Sequence, residues 1–97
     1  MYFTLDVFDQ NEEQIISNLR GLNKVAFYAL TEYGSSDEET SWQGREEELK
    51  AFSLNYPGVL FQLDVDDERH SEYSREYYKD GQMQKVIAEL VYPSCIL

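Results

Sequence analysis

Residues 59–92, VLFQLDVDDERHSEYSREYYKDGQMQKVIAELVY, decide the fold. Val59, Phe61, Leu63 and Val65 alternate with Leu60, Gln62, Asp64 and Asp66, the period of two expected of a strand with one buried face. An acidic connection follows, and residues 71–78 alternate again, with Tyr73, Arg75 and Tyr77 on one side. Asp80-Gly81 is a two-residue hairpin signal, since such a turn needs positive φ at both positions. Residues 83–92 complete the hairpin, with Val86, Ala88, Leu90 and Tyr92 pointing one way before Pro93 ends the strand. The stretch predicts an antiparallel meander.

Working outward, residues 45–56 predict a helix. Glu46, Glu47 and Glu48 fill its first turn, where the helix dipole favours negative charge. Leu49, Phe52, Ser53 and Tyr56 share one face, and Pro57-Gly58 stops it. Residues 32–44 contain two glycines, Ser35-Ser36 and an acidic triplet, and predict an exposed loop that ends on Trp42, read as a core plug. Near the N-terminus, residues 2–8 alternate as a strand. Asp9 stands at a helix N-cap position with Glu12 in capping-box spacing, Ile15, Ile16, Leu19 and Leu22 repeat at helical intervals, and Gly21 is a natural terminator. Residues 24–31 are apolar and aromatic, which predicts a second strand. A right-handed strand–helix–strand unit would follow if the two strands are parallel. The order β-α-β-α-β-β-β predicts an α+β fold, two helices packed on one face of a mainly antiparallel sheet of about five strands.

Ninety-seven residues make a single domain. They carry 19 acidic against 8 basic side chains, a net charge of −11. At 42% hydrophobic and 14% aromatic the chain is too rich in groups to bury for a disordered acidic tail. Direct binding of nucleic acid needs concentrated Lys and Arg, and an anionic membrane repels such a surface. No segment approaches the roughly 20 apolar residues of a span. Cys95 is the sole cysteine, so no intrachain disulfide forms. The N-terminal residues show no basic or apolar leader, and the expected compartment is the cytoplasm.

Catalytic chemistry is sparse. His70 is the only histidine, and nothing in its spacing joins it to Cys95. There is no glycine-rich phosphate loop, nucleophile elbow or zinc spacing. Tested as a calcium loop from Asp64, the sixth position is Arg69 where glycine is required, and the twelfth is Arg75 where glutamate is required. The expectation is a protein that is no enzyme and uses no metal or cofactor.

The distribution of charge is more informative. Glu32, Asp37, Glu38, Glu39, Glu46, Glu47 and Glu48 fall between residues 32 and 48, with Arg45 the lone base. Asp64, Asp66, Asp67, Glu68, Glu72 and Glu76 fall between 64 and 76, opposed by Arg69 and Arg75. Clustering of this kind adds self-repulsion that a soluble core does not need. Two readings stand: a solvated face that serves solubility, or a negative surface that occupies a basic groove. Duplex DNA presents one charge per about 1.7 Å of axis, and carboxylates on a rigid scaffold can reach comparable density. Tyr33, Tyr73, Tyr77 and Tyr78 lie beside these acids as potential anchors. The candidate partner-binding residues are therefore Asp37, Glu38, Glu39, Glu46, Glu47, Glu48, Asp64, Asp66, Asp67, Glu68, Glu72 and Glu76, with Tyr73 and Tyr78.

From Trp42 to Tyr92 the chain resembles small ferredoxin-like domains encoded by phages and plasmids. Trp42, the helix Glu47-Glu48-Leu49-Lys50-Ala51-Phe52-Ser53, the step Tyr56-Pro57-Gly58-Val59-Leu60-Phe61 and the hairpin Tyr77-Tyr78-Lys79-Asp80-Gly81-Gln82 carry the resemblance. It covers about half the chain and implies an α+β sandwich of mobile-element origin, with no catalytic residues to carry over. The dense acid between 37 and 48 departs from that pattern. Joined to the acidity, the resemblance implies a phage inhibitor of host defence, of the anti-CRISPR or anti-restriction, DNA-mimic kind. Its expected partner is a basic nucleic-acid-binding protein such as a CRISPR effector or nuclease. The alternatives are an antitoxin or immunity protein that caps a basic toxin, or a phage accessory domain without catalysis. In the inhibitor, Trp42 and the tyrosines would supply apolar anchoring.

Overall fold

Alternation at both ends of the chain produces one sheet. In the computed structural model, which describes residues 1–67 and 72–87, the strands are β1 (Tyr2–Val7), β2 (Phe61–Asp67), β3 (Glu72–Lys79) and β4 (Gln82–Ile87). They pair antiparallel throughout in the order β1-β2-β3-β4. Between β1 and β2 lie three helices, α1 (Glu12–Arg20), α2 (Lys24–Ala29) and α3 (Arg45–Ser53). The α+β class and the antiparallel meander are as expected. The count differs: four strands rather than about five, and three helices rather than two, among the described residues. Residues 88–92 of the expected last strand lie outside the described residues, as do Glu68, His70 and Cys95.

The missing strand is the segment 24–31, where Lys24–Ala29 form a helix instead. Asn23 is the reason. Its side-chain oxygen accepts the backbone N–H of Ala26 at 2.8 Å, an N-cap that satisfies one orphan donor of the first turn. The helix then turns Ala26 and Ala29 inward, both fully buried with Leu30. Without a strand here there is no parallel strand–helix–strand unit. The chain instead leaves β1, passes through three helices and returns to pair β2 antiparallel with β1. Helix α1 also starts later than the capping-box spacing implies. Asp9 Oδ2 accepts the Asn11 N–H at 3.0 Å in a turn before the helix, and Glu12 Oε2 accepts the Val7 N–H at 3.1 Å.

The core lies between the sheet and the helices. Phe3, Leu5 and Val7 from β1 and Phe61, Leu63 and Val65 from β2 face Ile15, Ile16, Leu19, Leu49 and Phe52. Trp42 is fully buried among them, its ring edge-on to Phe3 with centroids 5.8 Å apart. Each large side chain buried in this way contributes about 1.5–3 kcal/mol. Ser53, also fully buried, donates to the Lys50 carbonyl and accepts the Gly81 N–H, both at 2.8 Å, which ties the end of α3 to the β3–β4 turn. In that turn Asp80 and Gly81 have φ of 51° and 80°, the paired positive values the hairpin signal requires.

The outer edge of β1 is closed by the segment after α2. Leu5 N donates to Gly34 O at 2.6 Å, Ser36 N to Phe3 O at 2.8 Å, and Thr40 N to Met1 O at 2.9 Å. Ser36 Oγ accepts the Phe3 N–H at 2.8 Å. Gly34 is required at this crossing: its φ is +83°, and a Cβ would sit 2.8 Å from Leu5 O.

Candidate protein-binding surface

Strand alternation sorts the second acidic segment onto two opposite faces. Asp64, Asp66 and Tyr73 point to the open face of the sheet, beside Arg75, which is opposite Asp64 in the β2–β3 register. Arg75 binds Asp64 with Nε and Nη2 at 2.6 and 3.2 Å, so one of these carboxylates is already neutralised. Asp67, Glu72 and Glu76 take the other parity and face the helix side. Glu72 lies 3.7 Å from Lys85 across β3–β4.

Glu76 and Tyr78 are corrections to the expected contact surface. Glu76 is only 2% exposed and Tyr78 is fully buried. Arg45, the first residue of α3, reaches down onto Glu76 with Nε at 3.1 Å and Nη2 at 2.8 Å, a two-pronged pair of the kind a planar guanidinium favours. Its Nη1 donates to the Trp42 carbonyl at 3.2 Å. Tyr78 Oη donates to Glu76 Oε1 at 2.6 Å. Burial, with the Glu76 hydrogen bond and charge added, pushes the Tyr78 phenol well above its usual range. These residues lock α3 onto the sheet and are out of reach of a partner. Trp42 is likewise the core plug and offers no anchoring surface.

The first acidic segment also divides. Glu48 Oε2 accepts the Trp42 indole N–H at 3.3 Å, and its other oxygen accepts from the Asn23 amide, so it staples the α2 and α3 starts together. Glu46 pairs with Lys50 one turn on at 3.1 Å, and Glu39 lies 3.6 Å from the N-terminal amine. Glu47 projects into solvent. Asp37 and Glu38 remain exposed, and no cation pairs with either among the described residues.

Asp37 and Glu38 belong to a feature that the sequence pattern did not reveal. They line an open cleft of about 550 Å³ together with Glu32, Arg20, Phe27, Tyr28 and Tyr33. Because α2 is a helix, Phe27 and Tyr28 point outward. Phe27 is 50% exposed, Tyr28 72% and Tyr33 82%. Leu22 and Val25, at 48% and 47%, are exposed on the same segment. Arg20 lies over the Phe27 ring, 4.5 Å from its centroid, and its Nε donates to the Leu30 carbonyl at 2.9 Å. A second cleft adjoins it, sharing Arg20, Glu32 and Tyr33 and adding Glu12 and Glu13 of α1. The one signal available was Asn23, which as an N-cap would have turned the run 24–29 into a helix with its aromatics outside.

Among the described residues no three His, Cys, Asp or Glu side chains are grouped to hold a metal, and no helix is long and apolar enough to cross a membrane. Compared with protein-family models, curated proteins and solved structures, the chain gives no significant match.

Proposed function

We propose that this protein is an acidic, non-catalytic inhibitor that occupies the nucleic-acid-binding surface of a host defence protein, such as a CRISPR effector or nuclease. A phage or plasmid origin is part of the same proposal. The observation that carries it is the cleft of α2 and the following loop. Exposed aromatic rings there are bordered by Glu32, Asp37 and Glu38, three carboxylates with no cation partner among the described residues. Exposed rings anchor an interface, and unpaired carboxylates around them select a basic one. A groove built for phosphates supplies that complement, and the net charge of −11 speeds the encounter.

The test is capture of partners from a host lysate on the immobilised protein, followed by elution with salt and with competing duplex DNA. The expected outcome is a basic nucleic-acid-binding protein that DNA displaces and that is no longer retained by the triple variant Glu32→Lys, Asp37→Lys, Glu38→Lys. Retention that ignores both DNA and the triple charge reversal overturns the proposal. So does recovery of a toxin with no nucleic-acid-binding groove.

A further inference from the structure

We infer that the cleft of Tyr28 and Tyr33 is a receptor for an arginine side chain carried on an extended basic segment of the partner. This rests on the proposed function only in taking the partner to be a basic protein. Arg20 shows what the cleft accepts, since its guanidinium already lies 4.5 Å over Phe27 while Nε donates to a backbone carbonyl. One ring face is thus taken by the protein's own cation. The rings of Tyr28 and Tyr33, the two most exposed large hydrophobic side chains described, offer the remaining faces.

Charge completes the complement. Glu32, Asp37 and Glu38 contribute three negative charges to the cleft and Arg20 one positive, which leaves a net −2 for an incoming cation to neutralise. Arginine fits better than lysine. Its planar fork can stack on a tyrosine and still donate two parallel hydrogen bonds to a carboxylate, whereas an ammonium is a compact, strongly hydrated charge. The adjoining cleft carries Glu12 and Glu13 beyond the shared Arg20, Glu32 and Tyr33. Acidity therefore continues along α1, which suits a basic segment laid across both clefts better than a single free cation.

The experiment titrates the full-length protein with a capped oligoarginine peptide and its oligolysine counterpart in about 150 mM salt, where the Debye length is about 8 Å. Fluorescence anisotropy gives affinities, and amide NMR shifts locate the contact. The expected result is tighter binding of the arginine peptide by several-fold, with shifts centred on residues 20 and 27–38. The double variant Tyr28→Leu, Tyr33→Leu should bind the two peptides alike. Neutralising the rim with Glu32→Gln, Asp37→Asn and Glu38→Gln should weaken both by about tenfold. These side chains are exposed or lie in the rim, and thermal unfolding of each variant verifies that the fold is intact. Equal affinity of the native protein for both peptides overturns the inference. So does an arginine preference that survives loss of both tyrosines, or shifts centred on Asp64 and Tyr73 of the open sheet face. An arginine preference that persists where DNA fails to release captured partners would refute the inhibitor function and leave the cleft assignment standing.

Discussion

Tyr78 is a phenol held in place by the carboxylate it faces, and that carboxylate is held by Arg45. Tyr78→Phe removes the hydroxyl and leaves the ion pair. Denaturant unfolding at neutral pH should show a loss of about 1.5–3 kcal/mol, the range for a hydrogen bond to a charged group. The same residue sets an alkaline limit. Burial, then Glu76, raises its pKa in the folded protein, while the unfolded phenol ionises near the usual value of about 10. Above that pH the unfolded state sheds a proton that the folded state keeps, so stability falls as pH rises further. Below it the contribution is fully present. Stability measured across alkaline pH should therefore decline less steeply in Tyr78→Phe than in the native protein. An equal slope in the two would show that the buried phenol is not the group responsible.

At the scale of elements, the segment after α2 holds the edge of β1 through several hydrogen bonds, and Gly34 makes the close crossing among them. Gly34→Ala combines a left-handed backbone, about 1–2 kcal/mol for a residue with Cβ, with an overlap against the Leu5 carbonyl that only a backbone shift relieves. A loss on the order of 3 kcal/mol is expected. Gly58→Ala is the control: its φ is +79° but nothing lies within 4 Å of the added Cβ, and its loss should stay near the conformational cost alone. Comparable losses would mean that the crossing is looser than described. Much of the fold was legible because a period of two leaves little choice. Phe3, Leu5 and Val7, then Phe61, Leu63 and Val65, and the Asp80-Gly81 turn all lie where alternation placed them. Residues 24–29 were not, because a short apolar run suits a strand or a buried helix equally, and only the Asn23 cap distinguishes them. The site suffered from a different omission. Once Tyr73, Arg75 and Tyr77 are assigned to one face, Glu76 and Tyr78 must share the other. A count of acids along the chain ignores that parity.

For the whole molecule, the 8 basic side chains offset part of the 19 acidic ones, some of them in ion pairs such as Arg45–Glu76 and Arg75–Asp64, and leave a net charge of −11. The remainder repels itself in the compact state. Raising sodium chloride from low to physiological concentration should therefore raise the melting temperature, by roughly 5 °C if screening recovers on the order of 1 kcal/mol. An unchanged or falling midpoint would mean that the paired charges dominate. The closed edge of β1 has its own consequence at this scale. Fibrils built by adding strands sideways need two open edges on every molecule, one to receive and one to offer. With the β1 side occupied by residues 34–40, the sheet of the described residues offers only its β4 edge, and edge-to-edge growth through that sheet must stop at a pair. Propagating aggregation of this protein has to begin by peeling that segment away.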